Sequence, residues 1–417
     1  MPLFLGLSAL CFVFLTLRRA WRWTALSALS GCAGALVGVA VLVVSEGLMH
    51  AFGGPLGWVV RVWVIAFFAG LGVCVVNLRR SSIRRKVVAI AAAGCFAVTA
   101  TLGINAYYGL HKTLASFLGI SVVPEITLDL VRPHTGAPRA PLWETWKPPE
   151  HMPARGTTAQ VAIPPKDSGF VSRPAGLYLP PAAQVPNPPA LPLVVLMMGQ
   201  PGSPDPQYVA AILDEYASQH DGLAPIVIVA DQLGDPLTDN LCLDSPLHGR
   251  PETFINRDVE AWARTHLNVL DDRKFWTIAG YSNGGQCAIS FAAKYPNVWG
   301  NVLDISGEEY PGAENPEDNL REIFGGNQGA YDAQKPVTIM SKRTYRDTTA
   351  IFTASTDDPV YLDAAQHLST AARKAGMTVT YYEVPNGGHV IGALNGGLTK
   401  GFEVLYPRLG LCKLNPP

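Results

Sequence analysis

Three side chains in this sequence have the chemistry for acyl transfer, and each falls at the end of an apolar run. Ser282 stands in "FWTIAGYSNGGQCAIS", with Gly280 and Gly284 two residues away on either side. A serine on a tight strand-to-helix turn holds its hydroxyl above a sheet, and the glycines remove side chains that would clash there. The helix that follows aims its first amides at incoming negative charge. The competing reading is an ordinary Gly-rich loop, in a chain with 40 glycines. The strand–turn–helix context favours the nucleophile.

A serine hydroxyl is a poor nucleophile at neutral pH and needs a base. Of the nine histidines, His50 falls between apolar runs, and His111, His134 and His151 precede the globular part. His266 and His367 fall on expected helix bodies, and His220 and His248 in loops. His389, in "EVPNGGHVIG", follows the last expected strand, and its two preceding glycines let the loop turn back across the sheet. The base needs an acid to fix its tautomer and stabilise the imidazolium. "IFTASTDDPV" offers Asp357 and Asp358 at a strand end. Asp358 is preferred and Asp357 is the alternative; either also suits the role of helix cap. The developing oxyanion needs donors. The Asn283 amide is one candidate and the Gln200 amide in "LMMGQPGSP" the other, with Gly199 allowing close approach; a simple turn is the alternative there. This chemistry requires no cofactor, and no Cys/His group has metal-ligand spacing.

These residues need a sheet to position them. "AQVAIP" and "AGLYLPP" read as short edge strands. "LPLVVLMMG", "APIVIVAD", "FWTIAG", "NVLDIS", "TAIFTAS" and "TVTYYEVP" read as strands buried on both faces. Helix-like stretches at 208–219, 254–267, 284–296 and 361–376 alternate with them. The expected fold class is α/β, a mainly parallel sheet with helices on both faces, where sites gather at the carboxyl ends of strands. The chain order Ser282, Asp358, His389 is the one expected of an α/β-hydrolase.

The 417 residues allow more than one domain, and the apolar fraction of 48% is concentrated before residue 110. Four apolar runs lie there, Pro2–Leu17, Trp23–Val44, Leu56–Val76 and Val87–Leu110, and four membrane helices are expected, the first being short for a span. The charges Arg18, Arg19 and Arg22 follow the first run instead of preceding it, which disfavours a cleaved leader. The basic loops, these three and Arg79, Arg80, Arg84, Arg85 and Lys86, belong in the cytoplasm, while "SEGLMHAFGG" has no Lys or Arg. Everything after residue 110 is then extracytoplasmic. Trp21, Trp23, Tyr107 and Tyr108 suit interfacial belts. The expected organisation is a transmembrane region over 1–110, a Pro-rich connector over 111–155 and a catalytic domain over 156–417. A formal charge of −1 gives no basic surface for nucleic acid.

Residues 156–417 resemble the esterase family of α/β-hydrolases, which includes esterase D-like enzymes and the bacterial mycolyltransferases. The features that carry the resemblance are "LMMGQPGS", "LCLDSPLHGRPETFINRDVEAW", "IAGYSNGGQCA", "FTASTDDP" and "PNGGH". It implies Ser282 as nucleophile, His389 as base and Asp358 as acid. Many relatives have a His-Gly pair where this chain has Met198-Gly199, and the pattern after Ser282 differs from that of the mycolyltransferases. Resemblance to exported relatives also implies a disulfide between Cys242 and Cys287, the alternative being a buried small residue and a free thiol. The implied function is membrane-anchored hydrolysis of a lipid or cell-envelope ester through an acyl-enzyme. Acyl transfer to a sugar or lipid hydroxyl, and a non-catalytic hydrolase-like binding protein, are the alternatives.

Overall fold

In the computed structural model, residues 2–48, 56–79, 81–109, 123–128 and 140–413 are described. His50, Arg80, His111 and His134 lie outside them, as does about half of the expected connector. The chain divides into two compact units, Met1–Leu118 and Gly119–Pro417.

The first unit is helical: α1 (Pro2–Thr16), α2 (Trp21–Leu42), α3 (Trp58–Arg79) and α4 (Ile83–Tyr108). Ser45 to Leu48, expected in a loop, instead extend α2 as a π-helical turn over Val43–Leu48. Among the described residues three helices, Trp21–Gly47, Trp58–Arg79 and Ile83–Tyr108, are long and apolar enough to cross a membrane; α1, with 15 residues, falls short of that length. The helices α2 and α3 meet backbone to backbone. A Cβ on Gly34 would lie 2.1 Å from the Phe68 carbonyl oxygen, and one on Gly72 would lie 2.0 Å from that of Ser30. Polar side chains bond between helices: Ser8 and Thr99 share a 2.8 Å hydroxyl contact, and Trp23 Nε1 and Asn77 Nδ2 each donate to the Leu15 carbonyl at 3.2 Å. Arg85 donates to the Leu17 carbonyl at 3.0 Å, so the two basic loops share one end of the bundle.

The second unit is built on an eight-stranded sheet of order β1-β2-β4-β3-β5-β6-β7-β8. The strands are β1 (Thr157–Val161), β2 (Ala175–Leu179), β3 (Leu193–Met197), β4 (Ile226–Ala230), β5 (Trp276–Tyr281), β6 (Asn301–Ile305), β7 (Thr349–Ser355) and β8 (Thr378–Val384). β1 and β2 pair antiparallel with their neighbours, and the rest run parallel. Every residue of β3 to β7 is buried. Successive side chains point to opposite faces, so both faces are covered. The covering helices include α5 (Gln207–Gln219), α6 (residues 251–266, with a π turn at Phe254–Val259), α7 (Asn283–Lys294), α8 (Pro359–Lys374) and α9 (Ile391–Arg408).

The helix α9 lies outside the sequence-derived pattern because glycines interrupt it. Those glycines are what let it dock. A Cβ on Gly397 would meet Ile305 at 2.5 Å, and one on Gly401 would meet Leu303 at 2.4 Å. Close packing on β6 outweighs the roughly 1 kcal/mol that each glycine costs a helix.

Candidate active site

Ser282 sits between β5 and α7 with φ 56° and ψ −122°, a backbone conformation that costs a non-glycine residue of order 1–3 kcal/mol. Neighbours hold it there. Its N–H donates to the Ile305 carbonyl at 2.9 Å, and its carbonyl accepts from the N–H groups of Gly285 at 2.8 Å and Gln286 at 3.1 Å. Both flanking glycines are required. A Cβ on Gly280 would lie 1.9 Å from the Gly284 carbonyl oxygen, and one on Gly284 would lie 2.2 Å from that of Met197.

His389 follows β8 and reaches Ser282. Its Nε2 is 2.8 Å from Ser282 Oγ, and its Nδ1 is 2.8 Å from Asp358 Oδ2. Asp358 immediately precedes α8, and its side chain makes no capping bond to that helix. Asp357 does something else. It accepts from the Ser355 hydroxyl and from the Gly388 N–H at 2.9 Å. The Ser355 bond, reinforced by Gly388, holds its carboxyl below the ordinary value. Ser355 Oγ also accepts from the Gly387 N–H at 2.7 Å. The first aspartate thus ties down the loop that carries His389, and the second touches the imidazole. The ring itself is stacked between Tyr281, with centroids 5.4 Å apart, and Tyr361, at 3.9 Å.

The β3 loop closes against the serine. A Cβ on Gly199 would be 3.1 Å from Ser282 Cβ, which brings the neighbouring Gln200 to the rim of the site. Asn283 is the first residue of α7, where a backbone N–H has no intrahelical acceptor. One side chain absent from the sequence reading joins these parts. Gln232 Nε2 donates to the Met198 carbonyl at 2.5 Å and to Asn283 Oδ1 at 3.1 Å. Its position just past β4 is the signal that could have found it. Arg173 pairs with the buried Asp231 at 2.6 Å and donates to the Gly202 carbonyl at 2.8 Å, fixing the far side of the same loop.

Cys242 and Cys287 are joined as a disulfide, with Cα atoms 5.5 Å apart. It ties the 239–245 loop to α7. Asp239, in that loop, accepts from Asn283 Nδ2 at 3.0 Å. Over the opposite side lies the segment between β6 and β7. It carries Glu308, which is buried, and Glu314, which accepts from the Tyr361 hydroxyl at 2.9 Å. Burial first, then the neighbouring carboxylates, push the Tyr361 hydroxyl far above its ordinary range, so it stays protonated and donates.

The other described histidines are elsewhere. His220 caps α5, its ring on the Tyr216 carbonyl at 2.7 Å, and His266 contacts the Trp262 carbonyl at 3.0 Å. His367 faces Glu309 at 3.7 Å. His248 lies in a turn, where burial lowers its pKa, and His151 is exposed.

Comparison with known proteins agrees with this fold. The family model Esterase, described as "Putative esterase", matches residues 172–395. An uncharacterized protein of Corynebacterium glutamicum is 31% identical over 395 residues, covering 91% of this chain and 89% of its own length. That span exceeds the second unit, so it includes part of the helical one. Among solved structures, a ferulic acid esterase matches with a TM-score of 0.50 at 17% identity, covering 61% of this chain and 99% of its own. An S-formylglutathione hydrolase from Agrobacterium tumefaciens matches with a TM-score of 0.51 at 14% identity, covering 68% and 100%. At these identities the two structures share the fold.

Proposed function

The chain belongs to the esterase family and is an esterase, and from that premise we propose a membrane-anchored serine hydrolase whose catalytic unit faces the extracytoplasmic side. The observation that carries the catalytic reading is the continuous path Asp358–His389–Ser282, two contacts of 2.8 Å each. His389 Nε2 takes the Ser282 proton as Oγ attacks the ester carbonyl. The oxyanion rests on the Asn283 and Gln200 amides. His389 then gives its proton to the leaving alcohol, and the same imidazole activates water to cleave the acyl-enzyme. Asp358 holds the imidazole tautomer and balances the imidazolium. Asp357 and Gln232 position the two loops, and the Cys242–Cys287 disulfide pins a third.

The orientation rests on the basic residues at the junction of α3 and α4. Arg79, Arg84, Arg85 and Lys86 belong on the cytoplasmic side. One crossing by α4 then leads outside, whether or not the short α1 spans as a fourth helix. In this reading residues 1–110 anchor the chain, 111–155 connect and 156–417 catalyse. Membrane attachment points to a lipid or cell-envelope ester as substrate.

The test is fluorophosphonate labelling of the full chain in detergent beside Ser282→Ala. Labelling confined to wild type, with ester hydrolysis reduced roughly 10,000-fold or more in the variant, supports the reading. Equal labelling of both proteins, or none of folded wild type, overturns it. Products formed with and without a glycerol-type acceptor separate hydrolysis from acyl transfer.

A further inference from the structure

Three carboxylates lie near residues that flank the Ser282–His389 pair, Asn283 and Tyr361, without taking part in its proton path. Asp239 touches the side chain of Asn283, the residue after the nucleophile, at 3.0 Å. Glu314 accepts from the hydroxyl of Tyr361, whose ring lies 3.9 Å from that of His389. The charges of both these acids act on Glu308. The three therefore span the site from the oxyanion side to the imidazole side.

Their exposure is graded. Glu314 is exposed, Asp239 is half-buried and Glu308 is 7% exposed. Glu308 Oε2 is buried and has no hydrogen-bond partner. The charges acting on Asp239 and Glu308 come from this same set of acids, and burial with mutual repulsion raises both carboxyls. A buried carboxylate oxygen without a partner is costly, and such a group beside a catalytic centre calls for an explanation, which a bound ligand supplies. Among the described residues no group of three or more His, Cys, Asp or Glu could hold a metal ion. The fitting occupant is an organic cation that carries several N–H donors.

We propose that this acidic wall binds a protonated amine of the ester substrate, so that the enzyme selects esters bearing an ammonium group close to the scissile carbonyl. The proposal rests on the serine-hydrolase reading above and adds the substrate class to it. Glu314 meets the ammonium at the mouth and Glu308 receives it inside. Asp239 sets its distance from the oxyanion donors through Asn283. The ammonium lies on the acyl side or on the alcohol side of the ester, and the experiment separates the two.

The full chain in detergent is given two matched pairs of esters. In one pair a 2-aminoacyl ester is compared with its des-amino acyl analogue. In the other a 2-aminoethyl ester is compared with the corresponding ethyl ester. The kcat/KM ratio of charged to neutral substrate is read within each pair, so general losses of activity cancel. One pair is expected to give a ratio above about tenfold, the least that a hydrogen bond to a charged group supplies, and that pair identifies the side. In Glu308→Gln and in Glu314→Gln the ratio is expected to fall toward one. Ratios at or below one for both pairs in wild type overturn the proposal, as does a ratio unchanged in both variants. Should the variants fail to fold, wild type alone decides. Butylammonium slows fluorophosphonate labelling more than 1-butanol does if the wall binds amines, and equal effects overturn it. Loss of labelling altogether is a different failure, since it removes the serine-hydrolase reading and this proposal with it.

Discussion

The two units of this chain bury opposite things. In the helical unit the large apolar side chains face outward: Leu3, Leu10, Leu29 and Leu36 are each about 70% exposed. Beside a small apolar cluster of Leu15, Val73 and Phe96, much of what it buries between helices is small or polar, including Gly38, Gly70, Ala92, Ser27, Asn77 and Thr99. In the sheet unit the pattern reverses, with Trp276, Trp299, Phe352 and Phe402 fully buried. Burial of apolar surface from water stabilises the second arrangement. It cannot stabilise the first, whose exposed faces suit lipid and whose association rests on close backbone approach and interhelical hydrogen bonds. One chain thus contains folding solutions for two solvents, and a polar group means something different in each.

In the sheet unit the sharpest contrast between polar groups is at adjacent positions. Asp358 touches His389, while Asp357 holds the loop through Ser355 and Gly388. Asp358→Asn should lower kcat by roughly 1,000- to 10,000-fold, because the imidazole loses its tautomer and its counter-charge. Asp357→Asn should cost about tenfold or less, the worth of a hydrogen bond or two. Steady-state kinetics on one ester decide the matter. Equal losses would mean that the loop and the proton path are not separable.

A second contrast concerns titration. Among the described residues, the polar side chains buried in the helical unit are Ser27, Asn77 and Thr99, none of which titrates near neutrality. The sheet unit buries Asp304 at the end of β6, with one oxygen accepting from the Gly307 N–H at 2.9 Å and the other unpartnered. Burial pushes its carboxyl up from 3.8 to about 7. Between those values the folded state binds more protons than the unfolded state, so this group's contribution to stability falls as pH rises through the window. The loss is no more than about 4 kcal/mol. Denaturation of wild type and Asp304→Asn at pH 5 and pH 8 isolates it. The wild type should lose stability relative to the variant on going to pH 8. A difference that stays constant with pH would show that Asp304 is not protonated in the fold.

The pattern of short apolar runs made all eight strands legible; β3 to β7 are buried on both faces and so continuous in sequence, whereas β8, expected to be buried likewise, is a partly exposed edge strand because no strand lies beyond it in the sheet. Ser282, His389 and Asp358 were nameable for a related reason: each stands just past a strand, where a parallel sheet presents its loops. Gln232 occupies the same kind of position past β4, but its meaning depends on the Met198 and Asn283 loops meeting in space. Glu308 likewise stands just past β6, but Glu314 and Tyr361 have no strand or motif to mark them, and only the convergence of the β6–β7 segment with α8 gives all three a role. The helix α9 was hidden because its glycines serve packing at the expense of helix propensity. In the helical unit, hydropathy located the apolar runs but was silent on which glycines face a partner.

That silence leads to the smallest effect. Gly34 and Gly94 both lie inside long apolar helices, and sequence alone gives no reason to rank them. A Cβ on Gly34 would strike the backbone of Phe68, whereas a Cβ on Gly94 would meet nothing within 4 Å. Backbone cannot swing aside as a side-chain tip can, so Gly34→Ala should force α2 and α3 apart at a cost of roughly 1–3 kcal/mol. Gly94→Ala should be neutral or slightly stabilising, since alanine favours helix. Cys74 on α3 is 3% exposed and reports the packing directly. In detergent, maleimide should modify it at a lower temperature in Gly34→Ala than in wild type or Gly94→Ala, as read by peptide mass spectrometry. Fluorophosphonate labelling of Ser282 should be the same in all three. Matching modification temperatures for the two glycine variants would mean that large apolar side chains, and not backbone approach, hold the helices together, and the contrast between the units would fail.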